Sequence, residues 1–230
     1  MTDRANAMHL YHRWSSVPGQ MLRMVLSAKD LQWEDHPCAL QDQETAFDLG
    51  YGDLPVLVHG DGHKQQGTLP ELAELDQRYP ETPPLLESLG EAEWTAFCQW
   101  RSSLTPLLER LIAPVLPAYA EISHHEEDMA FYRNECERRF QQSIEALAND
   151  RYGAYQQLES RGRLRELGRI LARQRFYTGH LSLIDIVLTA DLHLLRLLDG
   201  VTIPLDLQYY FQRVADACQL SLNDGMSQSL

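Results

Sequence analysis

Between positions 9 and 26 the chain changes rhythm. Residues 9–13 follow the two-residue alternation of a strand, and Met21, Leu22, Met24, Val25 and Leu26 then supply one face of an amphipathic helix. Trp14, Ser15, Ser16, Val17 and Pro18 join the two. A hydroxyl at a strand-to-helix junction caps the helix, and the free amides and positive dipole end beside it suit an anion or a thiolate. Cap and site therefore compete for Ser15 and Ser16. Further on, positions 32–34 predict a short strand, 37–53 an irregular loop with one helical turn, and 54–59 with 63–66 a hairpin about Gly60, Asp61 and Gly62. Pro55 cannot donate to a ladder and so belongs at a strand start or edge. Thr68 and Glu71 have the T-x-x-E spacing of a capping box, with Pro70 in the first turn and Leu69, Leu72 and Leu75 as the buried face. Positions 81–91, with Pro83 and Pro84, read as a linker.

Beyond the linker, positions 92–198 carry helix-period patterns and no strand of comparable quality. Trp94, Phe97, Cys98, Leu104, Leu108, Leu111 and Ile112 form one apolar face, with Pro106 and Pro114 expected to kink or shorten the helix. Two more long patterns cover 129–147 and 151–174, with Gly153 and Gly162 as possible breaks. Ser182 and Asp185 make a second capping box ahead of an apolar run, so Asp185 reads as a cap rather than a catalytic acid. Positions 204–214 predict a final helix, and 223–230 a mobile end. The chain thus divides into an α/β domain over 1–82 and an all-α domain over 91–230.

Charge narrows the function. A formal net charge of -13 over 230 residues disfavours a direct nucleic-acid ligand. Cys38, Cys98, Cys136 and Cys218 lie far apart with no C-x-x-C pair, which offers neither a zinc site nor a dithiol. No apolar run approaches the ~20 residues of a membrane span, and positions 1–13 lack a signal core, so a soluble, cytoplasmic protein is expected. His124, His125, Glu126, Glu127 and Asp128 follow Ser123 at a helix start, where capping and dipole complementarity explain them without a metal. His59 and His63 flank the hairpin turn and should be exposed. No metal site is expected.

The order LYHRWSSVPGQMLRMVL, LPVLV and QGTLPELAELDQRYP before a Pro-rich linker resembles the thioredoxin-like N-terminal domain of the cytosolic glutathione transferases. The later GHLSLID segment resembles that family's G-x-x-x-S-x-x-D motif at its buried core helix. The resemblance implies a thioredoxin-like domain followed by a glutathione-transferase-type helical bundle, with glutathione as co-substrate. It implies a cis Leu54–Pro55 bond, with the backbone of Leu54 meeting the cysteinyl part of glutathione. Gln66, Gly67 and Thr68 fall where the γ-glutamyl group is held, although Gly67 supplies no side chain where the family carries an acid or amide. Ser16 falls on the hydroxyl that hydrogen-bonds the glutathione sulfur, with Ser15 as its neighbour. In tyrosine-type members the equivalent position is His12, and Tyr11 is one residue away on the other strand face. The implied activity is transfer of the thiolate to a small electrophile by a homodimer. The alternative is a non-enzymatic interaction protein of the same fold, like stringent starvation protein A. A thiol reductase would need a cysteine before the first helix, where this chain has serines.

Overall fold

The computed structural model describes residues 7–86 and 89–227; positions 1–6, 87–88 and 228–230 lie outside the described residues. Strand β1 (Met8–His12) turns Met8, Leu10 and His12 inward and leaves His9 and Tyr11 on the opposite face, as a two-residue period requires. Helix α1 (Val17–Ala28) starts on Ser16, whose side chain accepts from the Gly19 amide, with Pro18 in the first turn. Every residue from Met21 to Leu26 is buried, Arg23 included, because α1 packs against α10 (Leu183–Leu192) of the helical half as well as against the sheet side.

Strand β2 (Trp33–Pro37) pairs parallel with β1 and is longer than the sequence suggested. Its alternation is obscured because it is a polar edge strand whose side chains are mostly half-buried or exposed. A short α2 (Glu44–Asp48) is the helical turn expected in the loop. Strands β3 (Val56–Val58) and β4 (Lys64–Gln65) form the hairpin, giving the sheet order β2-β1-β3-β4 with β3 antiparallel to both neighbours. The Leu54–Pro55 bond is cis. Helix α3 (Leu69–Arg78) carries the complete Thr68–Glu71 capping box.

His59 is a correction. It is 2 % exposed rather than solvated, because Nε2 donates to the Gln65 Oε1 at 2.9 Å and Nδ1 accepts from the Tyr79 hydroxyl at 2.6 Å. Burial lowers its pKa from the ordinary histidine value. Lys29 is also fully buried, its Nζ 2.7 Å from Asp76 and 3.1 Å from the Pro83 carbonyl. Asp76 also accepts from the Leu85 and Leu86 amides, which fastens the linker to the small domain.

The rest is helical. Helix α4 (Glu91–Ile112) runs through Pro106, and the chain tightens into a 3-10 turn (Ala113–Ala118) as Pro114 approaches. The short α5 (Ala120–Ser123) follows, and the Ser123 hydroxyl donates back to the Tyr119 carbonyl instead of capping the next helix. That helix, α6 (Glu126–Phe140), starts after His125 with three acidic residues in its first turn, a favourable match to the dipole. The pattern read as one helix over 129–147 breaks at Gln141, which is left-handed, and restarts as α7 (Ile144–Asn149) capped by Ser143. Likewise α8 (Arg151–Gly162) and α9 (Leu164–Leu171) are separated at Arg163, while Gly153 lies inside α8.

Helix α10 is buried almost all round, as its unbroken apolar run demands. Asp185 at its start accepts from Ser182 Oγ, the Ser182 and Tyr177 amides and the Tyr210 hydroxyl. All four contacts are internal and structural. Burial pushes its carboxyl pKa up, and these donors pull it back. Helix α11 (Leu205–Ala217) closes the bundle.

Residues 223–227 are not the mobile end expected from composition. Gly225 and Ala118 carbonyls accept from Ala120 and Ser227 amides, Met226 bridges to Tyr119, and Asp224 pairs with Arg23 at 2.8 Å. Gly225 has φ +76, and a Cβ there would lie 2.2 Å from Trp14 Cγ, so glycine alone lets the tail lie on the indole.

Candidate functional site

The β1–α1 junction is held by three residues of different ranges. Arg13 reaches sideways, its guanidinium donating to Asp53 at 2.8 Å and to the Asp42 carbonyl at 2.9 Å, and so ties down the 39–53 loop. Behind the junction the buried Arg23 lies 4.4 Å from the Trp14 ring centre and donates to Asp35, which also pairs with His12 Nε2 at 2.8 Å. Trp14 is thereby clamped between Arg23, the edge of His12 and the tail.

The two serines have separate duties. Ser16 Oγ accepts from the Gly19 amide at 3.2 Å as the helix cap. Ser15 Oγ donates to Glu121 Oε1 at 2.5 Å, the Ser15 amide donates to the same oxygen at 2.8 Å, and the Trp14 amide donates to Oε2 at 2.7 Å. Glu121 comes from α5, 106 positions away from Ser15. The junction therefore does gather three donors onto one anion, and that anion is the chain's own carboxylate. Nothing in the sequence linked Glu121 to this place, since it sits on a four-residue helix with no periodic signal.

The other expected positions are similarly engaged. The Leu54 amide donates to the Asp53 side chain at 2.8 Å. The Gln66 amide donates to Glu71 at 2.9 Å, and its side chain donates to the Asp53 carbonyl at 2.9 Å. Thr68 donates from both amide and hydroxyl to Glu71 Oε2. Three resident carboxylates, Asp53, Glu71 and Glu121, thus hold the donor groups of Leu54, Thr68, Gln66, Trp14 and Ser15. Gly67 is dictated by packing: a Cβ would lie 2.8 Å from the Pro18 carbonyl oxygen and 3.2 Å from Leu22 Cδ1. Gly67 and Pro18 bring the starts of α1 and α3 together, and no side chain fits between them.

A cleft of about 540 Å³ opens from Ser15, Ser16 and Pro18 toward Ile112, Tyr132 and Phe140 of the helical half. A larger recess of about 650 Å³ lies between α11 and the C-terminal segment and contains none of these donors. Tyr11 faces away from the cleft, stacked on His36 with ring centres 4.7 Å apart. Tyr119 is buried at 4 % exposure, and Trp100 belongs to a separate apolar recess against α8 and α9. In the cleft wall, burial raises the pKa of both the Tyr132 phenol and the Cys136 thiol, and Tyr132 donates to the Ala113 carbonyl at 2.8 Å. Neither offers a ready anion. Burial raises the pKa of the other thiols, Cys38, Cys98 and Cys218, as well, the last to about 12.

Comparison with known proteins accounts for this architecture. Residues 96–227 match the family described as glutaredoxin 2, C terminal domain, and residues 10–83 match that described as glutathione S-transferase, N-terminal domain. The chain belongs to the glutathione-transferase-fold family that includes glutaredoxin 2. Glutaredoxin 2 from Salmonella typhimurium, solved in complex with glutathione, is similar over 94% of this chain and 97% of its own, with 21% identity and a TM-score of 0.77. A glutathione S-transferase of Ceriporiopsis subvermispora, also with glutathione, covers 93% and 97% at 15% identity and a TM-score of 0.72. A glutathione transferase from Phanerochaete chrysosporium covers 94% and 98% at 18% identity and a TM-score of 0.71. At these identities the likeness is one of fold. No curated protein sequence matches the chain significantly. In this chain the α1 start carries two serines, and Glu121 faces Ser15. No helix among the described residues is long and apolar enough to cross a membrane.

Proposed function

We propose that this chain binds glutathione along the line from Leu54 and Pro55 to Thr68 and transfers its thiolate to a small electrophile in the cleft. The observation that carries the reading is the convergence of Ser15 Oγ with the Trp14 and Ser15 amides on one anionic position, Ser15 itself lining that cleft. A thiol of ordinary pKa about 8.5 becomes a thiolate near neutral pH when it receives such donors beside a helix N-terminus. The Leu54 backbone would meet the cysteinyl unit, and Thr68 with Gln66 the γ-glutamyl unit. Ser15 is favoured over Ser16 as the thiolate partner because its proton already points at the anion, whereas the Ser16 oxygen is spent on the helix cap.

In this reading Glu121 holds the seat until glutathione arrives. The thiol proton leaves to solvent, the sulfur takes the three donors, and its electron pair forms the new carbon–sulfur bond as the electrophile expels its leaving group or gains a proton. Activation and positioning of the nucleophile supply the rate gain. A cytoplasmic homodimer is part of the proposal, as the resemblance implies. The second reading is a non-enzymatic interaction protein, and it is favoured by the fact that the donors of Leu54, Thr68 and Ser15 are already satisfied by internal carboxylates. Calorimetric titration with glutathione, followed by thiolate difference absorbance, separates the two. Binding with thiolate formation that Ser15→Ala abolishes supports the transferase, and absence of binding at millimolar glutathione in the wild type and in Glu121→Ala supports the interaction protein.

A further inference from the structure

On the sheet face opposite α1, the parallel register sets His9 of β1 against Glu34 of β2 and Tyr11 against His36. Glu34 and His36 are two residues apart on one strand, so their side chains leave the same face as that of His9. His9 Nδ1 lies 2.9 Å from His36 Nε2 and 3.7 Å from Glu34 Oε2, and the three ligand atoms all fall within 4.8 Å of one another. We propose that these three side chains form a site for a divalent transition-metal ion of the zinc class.

The distances fit that chemistry. With zinc–nitrogen and zinc–oxygen bonds of about 2.0–2.2 Å, neighbouring ligand atoms of a tetrahedron stand about 3.3 Å apart. The two separations at His9 straddle this value and the third pair lies within 4.8 Å, so small side-chain movements would bring the three atoms around an ion. Without a metal, the two ring nitrogens lie within hydrogen-bond distance of one another at 2.9 Å. When an ion binds, the donating ring switches tautomer and carries its proton on its other nitrogen, so the ion takes one lone pair from each imidazole and the charge of Glu34, while water fills the fourth position. Two imidazoles and a carboxylate suit zinc and the neighbouring divalent ions better than calcium or magnesium.

The ligands are also preorganised. Each backbone is fixed by the β1–β2 ladder, and the Tyr11 ring stacks on His36 with 16° between planes, which sets the orientation of that imidazole. Access is open, since His9 and Glu34 side chains are 37% and 56% exposed. None of the three residues contributes to the cleft at Ser15, so the site stands independently of the transferase reading.

The test is a calorimetric titration of the full chain with Zn²⁺ in competition with a chelator, repeated on Glu34→Gln and on His9→Ala/His36→Ala. The wild type is expected to bind one equivalent that Glu34→Gln weakens at least about tenfold and the double variant lacks. Co²⁺ should give a visible ligand-field band in the wild type that the double variant loses, and circular dichroism of each metal-free variant checks that it is folded. Glu34→Gln keeps the exposed side chain's size and tests the ligand even if the double variant does not fold. Wild-type binding no tighter than that of Glu34→Gln, or a cobalt band unchanged between the wild type and a folded variant, would overturn the proposal and assign uptake to other histidines.

Discussion

Replacing Glu121 with alanine should change stability and ligand affinity in opposite directions. The carboxylate accepts three hydrogen bonds at 2.5, 2.7 and 2.8 Å from the small domain. Hydrogen bonds to a charged group are worth about 1.5–3 kcal/mol each. Glu121 is only partly buried and the three bonds act as a unit, so their combined worth is discounted to about 3 kcal/mol. That is the cost to the fold, and it should lower the melting temperature by roughly 6–12 °C for a chain of this size. The same energy opposes any ligand that needs the donors, so their release should tighten glutathione binding by roughly a hundredfold, with about 1.4 kcal/mol per factor of ten. Calorimetry of wild type and Glu121→Ala with glutathione, beside thermal melts of both, measures the two quantities. If the melt falls as calculated while glutathione affinity stays within twofold, Glu121 is a domain clamp and the junction donors are not the thiolate seat.

Three further outcomes follow from the packing. Gly67→Ala should destabilise by about 2–3 kcal/mol in chemical denaturation, because its Cβ meets a backbone oxygen that cannot move freely, and Gly67→Gln should fail to raise glutathione affinity for the same reason. Asp76→Ala leaves the buried Lys29 ammonium with the Pro83 carbonyl alone and should cost about 3–5 kcal/mol, more than Asp61→Ala on the exposed Arg78 pair. His193 is fully buried with its pKa pushed down to about 4 by desolvation. The unfolded chain then takes up a proton near pH 6.5 that the folded chain refuses, so stability is full above that pH and falls by about 3 kcal/mol as pH drops to 4; urea midpoints across this range should be flatter in His193→Gln.

The parts of the fold legible in sequence were those fixed by local chemistry. Ser16, the Thr68–Glu71 box and the Ser182–Asp185 box announce helix starts because a cap needs only residues three apart. Strand β2 runs beyond the 32–34 stretch that the sequence predicts because an edge strand with polar faces carries little periodicity. Helices over 129–174 were joined because Gln141 and Arg163 take left-handed conformations that neither residue type advertises. At the site, Ser15, Ser16, Leu54, Pro55, Gln66, Gly67 and Thr68 could be named from motif order. Their partners could not all be. Glu71 lay within its own motif, but Glu121 reaches Ser15 across 106 positions and Asp224 reaches Arg23 across 201. The His9, Glu34 and His36 cluster offered half a signal, the two-residue spacing on β2, and needed the parallel register to complete it.

The contact between Arg23 and Asp224 bears on how the protein is made. Translation delivers Arg23 early, and its second carboxylate emerges 201 residues later, together with the glycine that seats the tail on Trp14. A nascent chain can assemble the sheet and α1, yet its Arg23 guanidinium has Asp35 as its one carboxylate partner, beside Gln20 and the Trp14 ring, until Asp224 has been made. Native order at the serine junction therefore waits on synthesis of the 223–227 segment. Pauses placed just before codon 223 should prolong protease sensitivity near Trp14 while leaving the sheet protected.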